Sequence, residues 1–529
     1  YEIAQCLVGS EMCIRDSGTT PSGSSAYEKR GIAVDIPVWQ PENCIQCNRC
    51  AYVCPHAVIR PVALTEEEVA NAPEGLETID MVGMPGLKFT MTVSAYDCTG
   101  CGSCANVCPG KKGAKALVMA NMEENAGEQK FFDYGVTLPV KEDVVAKFKE
   151  NTVKGSQFKQ PLLEFSGACA GCGETPYAKL ITQLFGDRMY IANATGCSSI
   201  WGNSSPSTPY TVNSKGQGPA WGNSLFEDNA EFGYGMLLAQ KAIRKRLKEE
   251  VEAVAASDAA SADVKAACQE YLDTFNCGVS NGDATDKLVA ALDGCDCDTC
   301  KDIVKNKDFL AKKSQWIFGG DGWAYDIGFG GVDHVLASGR DINVMVFDTE
   351  VYSNTGGQSS KSTPTGAIAQ FAAGGKETKK KDMASIAMSY GYVYVAQISM
   401  GADFNQTVKA IAEAEAYPGP SLIIAYAPCI NHGIKKGMAK AQTEEELAVK
   451  VGYWHNFRFN PAAEGNKFSL DSKAPSMEDY QAFLDGEVRY NSLKRQNPEK
   501  AARLFAKNEA EAKARFEYLQ KLIALHSAE

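Results

Sequence analysis

The sequence has no uninterrupted apolar stretch of the length that a membrane-spanning helix needs, about 18 residues or more. Its first residues lack the charged, apolar and small-residue regions of a secretory signal peptide. Positive charge is also in deficit, because 53 Lys and Arg face 65 Asp and Glu, and the net charge of −12 disfavours nucleic acid as a partner. These absences predict a cytoplasmic protein that binds neither membrane nor nucleic acid.

Cysteine, by contrast, is abundant, with 19 residues. Two runs, each followed by proline, repeat the bacterial iron-sulfur pattern C-x2-C-x2-C-x3-C-P. In this pattern the fourth cysteine of each run binds the cluster of the other run, so the pairing should cross. The predicted ligand sets of two [4Fe-4S] clusters are Cys44, Cys47, Cys50 and Cys108 for one, and Cys98, Cys101, Cys104 and Cys54 for the other.

Zinc is the alternative for these eight thiols. Structural zinc is usually held by two separated CxxC or Cys/His pairs, whereas no histidine stands at a ligand position in either run. So many cysteines at cluster spacing favour a reducing, low-oxygen interior over disulfides. Three lysines follow the second run and could form a basic docking rim for an acidic electron carrier, although such clusters are often only solvated surface: Lys111, Lys112 and Lys115.

Further along the chain, short apolar segments alternate with helical ones. Five segments are typical of buried parallel strands: Met189–Ala192, Gln315–Phe318, Asn343–Phe347, Val393–Ile398 and Ser421–Tyr426. Two intervening segments, Asp382–Tyr390 and Asp403–Ala416, have helical composition and an acidic first residue, which favours a helix start. The repetition predicts an open, mostly parallel α/β sheet flanked by helices, with ligands at the carboxyl ends of its strands.

A third set of cysteines lies within this α/β region. Cys169 and Cys172 occupy a glycine-rich turn, while Cys197 and Cys429 each follow a predicted strand end. Because the carboxyl ends of parallel strands converge, the four sulfurs could meet around another cluster. The alternatives are inert core cysteines and a thioredoxin-like redox pair in the CxxC turn. Five further cysteines, in a stretch expected to be looped and exposed with at most an opportunistic metal site, are left unassigned: Cys268, Cys277, Cys295, Cys297 and Cys300.

Two glycine-rich segments follow neighbouring predicted strands, at 319–323 and 346–357. Magnesium bound to a diphosphate takes about six oxygen ligands, and Asp321, Thr349 and the carbonyl of Val351 could supply the protein's share. A dinucleotide-binding turn does not fit, because Tyr325 stands where its third glycine belongs. A Walker loop does not fit either, since no G-K-[ST] sequence closes the segment.

Together these motifs resemble the pyruvate:ferredoxin (flavodoxin) oxidoreductases, large 2-oxoacid enzymes of anaerobic metabolism. The resemblance implies a proximal [4Fe-4S] cluster on Cys169, Cys172, Cys197 and Cys429, Mg²⁺ on Asp321, Thr349 and Val351, and contact of Asn354 with the 2-oxoacid. It also implies that a further group of residues lines thiamine diphosphate: Glu174, Cys197, Gly320, Asp321, Gly322, Trp323, Thr349, Glu350, Val351, Tyr352, Ser353 and Asn354.

The family's reaction is the oxidative decarboxylation of pyruvate, with coenzyme A as co-substrate, to acetyl-CoA and CO2. Ferredoxin or flavodoxin accepts the electrons, and the resemblance also implies a homodimer. The resemblance covers residues from about 31 onward and omits the family's amino-terminal half, so we expect the chain alone to be inactive. Two alternatives remain open. One is an electron-transfer and thiamine subunit of a multi-subunit 2-oxoacid oxidoreductase; the other is a non-oxidative thiamine decarboxylase or ligase, which would need no cluster thiolates.

The resulting domain prediction has five parts. Residues 1–30 are a disordered or artefactual tail, 31–120 a small α+β ferredoxin-like domain with two clusters, and 121–165 a polar connector. Residues 166–465 form the thiamine diphosphate-binding domain with the proximal cluster, and 466–529 form carboxyl-terminal helices.

Overall fold

The computed structural model describes residues 20–225 and 227–526. Residues 1–19 of the predicted tail lie outside the described residues, but the part of it from residue 23 is structured. The Gly23 N–H donates to the Tyr210 carbonyl at 2.7 Å, and the Ser24 hydroxyl accepts from the Thr208 N–H at 2.8 Å. This segment is therefore held against the edge of the α/β region.

The cysteine-rich region is built around a two-stranded antiparallel ribbon, β1 (Asp35–Trp39) paired with β5 (Leu117–Asn121). Between them lies a second, three-stranded antiparallel sheet in the order β2-β4-β3, with strands Ile59–Leu64, Lys88–Val93 and Ile79–Asp80. The long insertion between the two cysteine runs thus has a sheet of its own. Three short helices complete the region: α1, Arg49–Tyr52; α2, Glu66–Ala70; and α3, Ser103–Val107.

The connector is helical rather than extended. It contains four short helices: α4, Met122–Asn125; α5, Gln129–Thr137; α6, Glu142–Phe148; and α7, Val153–Ser156. Phe132 on α5 and Val144 on α6 are buried in the same apolar core as the cysteine runs. The connector therefore packs onto the cysteine-rich region as part of its core.

One eight-stranded sheet forms the centre of the α/β region, in the order β13-β12-β10-β11-β9-β8-β6-β7. Pairing is parallel from β10 through to β7, and only the β10–β12 and β12–β13 pairs are antiparallel. The strands are β6, Met189–Ala194; β7, Ala220–Ser224; β8, Ser314–Gly320; β9, Ile342–Asp348; β10, Tyr394–Ile398; β11, Pro420–Tyr426; β12, Phe457–Phe459; and β13, Phe468–Leu470.

All five predicted strands are present, and the open, mostly parallel α/β fold is confirmed. Each was predicted from a continuous apolar run, which suits a central strand buried on both faces; in β9 and β11 every residue is buried. The sequence missed three strands: β7 and β13 at the two edges of the sheet, and β12 beside β13. β7 reads Ala-Trp-Gly-Asn-Ser without an apolar run, and β12 and β13 are three residues long.

Helices cover both faces of the sheet. The two predicted helices are present, and their preceding aspartates cap them: Asp382 accepts the Ser385 N–H at 3.0 Å and Asp403 accepts the Asn405 N–H at 2.9 Å. The helices around the sheet are α8, Thr175–Phe185; α9, Cys197–Ser199; α10, Asn229–Ala256; α11, Ala262–Thr274; α12, Asn281–Leu292; α13, Asp298–Lys305; α14, Phe329–Ala337; α15, Met383–Met388; α16, Phe404–Ala416; α17, Ala441–Lys450; α18, Tyr480–Asp485; α19, Val488–Gln496; and α20, Pro498–His526.

Helices α10 to α13 form a layer with an apolar core of its own, which includes Leu247, Tyr271 and Leu288. Gly233 of α10 lies so close to the sheet that an added Cβ would come within 2.6 Å of Ile317 and 2.9 Å of Ala192. The carboxyl-terminal helix α20 packs back on the sheet domain through Leu504, Phe505 and Leu519. Across residues 20–225 and 227–526, no helix has both the length and the apolarity to cross a membrane.

Candidate functional site

The eight cysteines of the two runs line two small cavities. Four of them surround a cavity beside Trp39 and Pro109, and the other four surround a cavity beside Pro55 and His56. The first set is Cys44, Cys47, Cys50 and Cys108; the second is Cys54, Cys98, Cys101 and Cys104. The structure therefore groups the cysteines in the crossed pattern that the spacing predicts.

The two runs share a backbone conformation. Gln46 and Asn48 in the first run, and Gly100 and Gly102 in the second, all have positive φ, between 55° and 77°. This left-handed geometry bends each Cys-x-x-Cys-x-x-Cys segment around its cavity and is easiest for glycine and asparagine. In both turns a backbone N–H faces sulfur: Gln46 N–H donates to Cys44 Sγ and Gly100 N–H to Cys98 Sγ, each at 3.4 Å.

The spacing of these sulfurs does not suit a single metal ion. Among the described residues, the one group of three or more ligand atoms that all lie within 4.8 Å of one another is elsewhere, at 295–300. Sulfurs bound to one zinc at about 2.3 Å would lie about 3.8 Å apart. The two cavities therefore fit a polynuclear cluster better than a zinc ion. The Thr99 hydroxyl, which lines the second cavity, is buried and has no hydrogen-bond partner among the described residues.

The third set of cysteines meets at the carboxyl edge of the sheet. The Gly173 N–H donates to the Pro428 carbonyl at 3.1 Å, which fixes the Cys169/Cys172 turn beside Cys429. A Cβ on Gly173 would come within 2.6 Å of Pro428, so this close approach requires glycine. Burial raises the pKa of Cys197, and the Cys172 and Cys429 sulfurs are near enough to raise it further. Buried thiols of this kind ionise readily only when a metal replaces the proton.

Neighbouring groups connect the three sets of cysteines in series. Burial raises the pKa of Cys104, and nearby thiols that include Cys50 raise it further. Because Cys50 belongs to the first cavity, the two cavities adjoin. Burial also raises the pKa of Cys101, opposed by hydrogen bonds from the backbone N–H groups of Ser103 and Gly171. Since Gly171 belongs to the Cys169/Cys172 turn, the second cavity faces the third set.

The series of neighbouring groups continues to Asp321 and Thr349. Cys197 Sγ lies 3.3 Å from the Ser353 hydroxyl, which in turn lies 3.3 Å from the Thr349 hydroxyl. The strand order explains this proximity, because Cys429, Thr349, Asp321 and Cys197 follow the neighbouring parallel strands β11, β9, β8 and β6. The predicted convergence at the carboxyl edge of the sheet is thus what the fold produces.

Three oxygens proposed as magnesium ligands lie close together at this edge of the sheet. Thr349 Oγ1 lies 3.0 Å from Asp321 Oδ1 and 3.0 Å from the Val351 carbonyl. Magnesium bonds of about 2.0–2.1 Å place adjacent octahedral ligands about 2.9 Å apart, so each of these two separations is close to that between adjacent ligands of one magnesium ion. Burial, and then the carboxylate of Asp348, raises the pKa of Asp321 well above its usual range. A cation bound here would compensate that buried carboxylate.

The sequence missed the groups that hold these ligands. Ser360 donates to Asp321 Oδ2 at 2.6 Å, and Ser362 donates to Asp348 Oδ1 at 2.6 Å. Lys380 lies 2.9 Å from a carboxylate oxygen of both Asp348 and Glu350. No local motif marks these serines or this lysine; they reach the site through the tertiary path of the 358–381 segment.

Glu350 has its side chain in an ion network. Its carboxylate lies 2.8 Å from Arg489 and accepts from the Tyr453 hydroxyl at 2.6 Å. Although burial raises it, Lys380 and Arg489 lower the pKa of Glu350 to about 2. The residue has a φ of 61°, which turns the chain between β9 and Val351. Of the predicted cofactor-lining residues, Glu350 therefore offers its backbone to the site, since its carboxylate is already paired.

The glycines around Asp321 have different neighbours. A Cβ on Gly322 would meet the Tyr352 ring at 2.4 Å, whereas a Cβ on Gly320 would meet nothing closer than the Phe347 carbonyl at 3.9 Å. Gly322 therefore permits the packing of Tyr352, while Gly320 leaves an open backbone at the strand end. The segment that follows, Gly322–Ile327, is a π-helical turn, a form that often occurs at functional sites.

Three further predicted residues differ in their burial and hydrogen bonding. The Trp323 indole N–H is buried and has no hydrogen-bond partner among the described groups, so it remains able to donate to a ligand. Glu174 is buried and accepts from Trp201 Nε1 at 2.8 Å; burial raises its pKa to about 7. Asn354 is exposed and accessible from solvent. Predicted roles of these residues toward thiamine diphosphate or substrate stay predictions.

The five unassigned cysteines lie in the α10–α13 layer, away from these cavities. Cys277 and Cys297 are exposed, as expected of an acidic loop. Cys268 and Cys300, however, are buried within the apolar core of this layer, because both lie on helices, α11 and α13. The expectation of a looped, exposed stretch therefore differs from the structure for these two.

Comparison with known proteins agrees with both halves of the site. Residues 43–112 match the 4Fe-4S dicluster domain, and residues 307–425 match the C-terminal TPP-binding domain of thiamine pyrophosphate enzymes. Over 96% of its length the chain is 58% identical to the pyruvate-flavodoxin oxidoreductase of Enterobacter agglomerans. The resemblance to the pyruvate:ferredoxin (flavodoxin) oxidoreductases is confirmed.

Other relatives extend this picture. The chain is 59% identical to the pyruvate:ferredoxin oxidoreductase of Moorella thermoacetica and 48% identical to the mitochondrial NADP(+) pyruvate dehydrogenase of Euglena gracilis, in both cases over 96% of this chain. It spans 43%, 44% and 28% of the lengths of these three relatives, in the order named. Among solved structures, 2-oxoglutarate:ferredoxin oxidoreductase from Magnetococcus marinus aligns at 15% identity and TM-score 0.30, covering 63% of this chain and 90% of the other.

Proposed function

We propose that this chain is the electron-relay and thiamine diphosphate-binding part of a pyruvate:ferredoxin (flavodoxin) oxidoreductase. The complete enzyme would convert pyruvate and coenzyme A to acetyl-CoA and CO2. The observation that carries the proposal is the series of neighbouring groups that leads from the Cys44 cavity, through the Gly171 turn and Ser353, to Asp321. A non-oxidative thiamine enzyme would have no use for that series.

Three sets of four cysteines would each hold a [4Fe-4S] cluster: the two cavity sets, and Cys169, Cys172, Cys197 and Cys429. Such clusters accept and pass single electrons. The chain's own contribution is placement, because glycine and asparagine turns hold the sulfurs and backbone N–H groups donate to them. Hydrogen bonds to cluster sulfurs are one means by which proteins adjust reduction potential.

Asp321, Thr349 and the Val351 carbonyl would bind Mg²⁺, and the open backbone at Gly320 would approach the diphosphate. Bound thiamine diphosphate would supply the electron sink for decarboxylation. Trp323, Tyr352 and Ser353 would line it, and Asn354 would contact the 2-oxoacid. Ser353 is the residue that spans the two halves of the site, since it contacts both Thr349 and Cys197.

The acceptor would dock beside the cavity farthest from Asp321. Lys111 and Lys112 are exposed next to Pro109 and Gly110, which line that cavity. Lys115 is less available, because its ammonium donates to the carbonyls of Asn106 at 3.0 Å and Cys108 at 2.6 Å. An acidic ferredoxin or flavodoxin in a reducing cytoplasm fits this surface. A homodimer, and the alternative of a subunit in a multi-subunit enzyme, both rest on the resemblance alone.

The test is anaerobic iron and sulfide analysis of the reconstituted chain with EPR of the reduced form. Three clusters give about twelve irons per chain. Cys429→Ala should remove one EPR signal and about four irons, whereas Cys277→Ala, an exposed cysteine away from every cavity, should remove none. If wild type holds about eight irons, or if Cys429→Ala keeps every signal, the third cluster and the relay proposed here are refuted.

A further inference from the structure

A separate group of thiols lies in the helical layer α10–α13. Cys295, Cys297 and Cys300 occupy the connection between α12, which ends at Leu292, and the first turn of α13. Gly294, with a φ of 79° and open space where a Cβ would stand, reverses the chain just before them. The sequence Cys-x-Cys-x-x-Cys is thereby folded into one tight loop.

Their ligand atoms all lie within 4.8 Å of one another, and no other group of three among the described cysteines, histidines and carboxylates does so. The Cys300 N–H donates to Cys297 Sγ at 3.2 Å, and the Cys295 N–H donates to the Leu292 carbonyl at 3.1 Å. These backbone hydrogen bonds hold the loop with its three sulfurs close together. Of the two, one is accepted by a sulfur, Cys297 Sγ, and the other by a carbonyl.

The environment of the three sulfurs is graded from core to solvent. Cys300 is buried among Leu288, Ile303 and other apolar residues of the layer, Cys295 is half-buried, and Cys297 is exposed. An open groove runs past Cys295 and Cys300 and is also lined by Lys301 and Lys305. An ion held by the three sulfurs would have protein on one side and water on the other.

We propose that Cys295, Cys297 and Cys300 bind one Zn²⁺ ion, with a water from the groove as fourth ligand. Thiolates select soft or borderline metals, and zinc is bound by sulfur at about 2.3 Å in a tetrahedron whose edges are about 3.8 Å. A [4Fe-4S] cluster needs four thiolates, whereas the described group has three members. On binding, each thiol releases its proton to solvent and the ion joins the end of α12 to the start of α13.

The ion has no place in the electron relay. Zinc carries no redox chemistry, and the loop belongs to a helical layer distinct from the cysteine cavities. Its role is to fix the α12–α13 connection. The proposal does not depend on the proposed enzymatic function, and it predicts that iron content is the same with and without zinc.

The test uses the full chain with its iron centres reconstituted anaerobically, then given one equivalent of Zn²⁺. X-ray absorption at the zinc edge, which iron does not obscure, should report three sulfur ligands at about 2.3 Å and one light atom. Cys297→Ser should lower the sulfur number, since Cys297 is exposed and its replacement leaves the core intact. Cys277→Ser, an exposed cysteine of the same layer, should leave the spectrum unchanged.

Four results would overturn the proposal. Zinc could bind with oxygen or nitrogen ligands alone, or with an unchanged sulfur shell in Cys297→Ser. Zinc could enter only as iron leaves, which would place it in the cluster cavities. Alternatively, mass spectrometry of the alkylated chain could find two of the three thiols joined as a disulfide in the protein as isolated under argon.

Discussion

Replacing Thr349 by valine tests the magnesium geometry with the least change of shape. The substitution keeps the branched side chain and removes Oγ1, the atom that lies 3.0 Å from both Asp321 Oδ1 and the Val351 carbonyl. The Thr349 N–H, which donates to Asp321 at 3.2 Å, is retained. The variant therefore lacks one of three proposed protein ligands while the loop after β9 keeps its backbone contact.

The expected loss follows from the value of one contact to a charged partner, about 1.5–3 kcal/mol. At about 1.4 kcal/mol per factor of ten, Thr349→Val should weaken Mg²⁺-dependent binding of thiamine diphosphate about 10- to 150-fold. Isothermal titration calorimetry of the reconstituted chain measures this. Thr349→Ser, which keeps the hydroxyl, should stay within a few-fold of wild type. Equal affinity of Thr349→Val and wild type at unchanged iron content would refute the ligand assignment.

Three other changes have defined outcomes. Gly322→Ala should weaken thiamine diphosphate binding about tenfold or more, because its Cβ would press within 2.4 Å of Tyr352, whereas Gly330→Ala, whose Cβ meets nothing, should not. Lys179→Met should lower the free energy of unfolding by about 3 kcal/mol, because it removes the ammonium that donates to the carbonyls of Ala51, Tyr52 and Cys54. Because it also removes a positive charge beside Cys54, it should make one cluster's reduction potential more negative in an EPR redox titration. Burial raises the pKa of Glu445 from 4.5 to about 8. The wild-type protein is therefore most stable below about pH 4.5, and it loses this contribution to stability as the pH rises to 8. Because glutamine does not titrate, the melting temperature of Glu445→Gln relative to that of wild type should rise between pH 4.5 and 8.

Each of these has a result that contradicts it. If Gly330→Ala weakened thiamine diphosphate binding as much as Gly322→Ala, the loss could not be attributed to the contact with Tyr352. Unchanged potentials in Lys179→Met would show that its charge is not felt at any cluster. A pH-independent difference in melting temperature between Glu445→Gln and wild type would show that Glu445 does not titrate between the folded and unfolded states as its burial implies.

The sequence predicted best where one physical requirement dominates a short segment. Five central strands were predicted because strands covered on both faces must be apolar throughout, as β9 and β11 are. The edge strand β7 has no such requirement, and its Gly222 and Asn223 disfavour strand prediction. In the tail, the contacts of Gly23 and Ser24 with residues 208–210 depend on chain elements far apart in sequence, so composition alone predicted disorder there.

The candidate site divides in the same way. Cysteine spacing predicted which four sulfurs share each cavity, since the repeat itself encodes the crossed arrangement. The convergence of parallel strands at their carboxyl ends predicted that Cys197 and Cys429 lie near the Cys172 turn and that Asp321 lies near Thr349. Ser360, Lys380 and Arg489 could not be found this way, because each belongs to a segment whose sequence has no motif and whose position is set by tertiary packing.

The most direct measurement is a crystal structure of the anaerobically reconstituted chain with an anomalous difference map at the iron edge. We expect three iron peaks: one inside the Cys44, Cys47, Cys50 and Cys108 cavity, one inside the Cys54, Cys98, Cys101 and Cys104 cavity, and one between Cys169, Cys172, Cys197 and Cys429. A map with no iron between those last four sulfurs would contradict the relay to the Asp321 site.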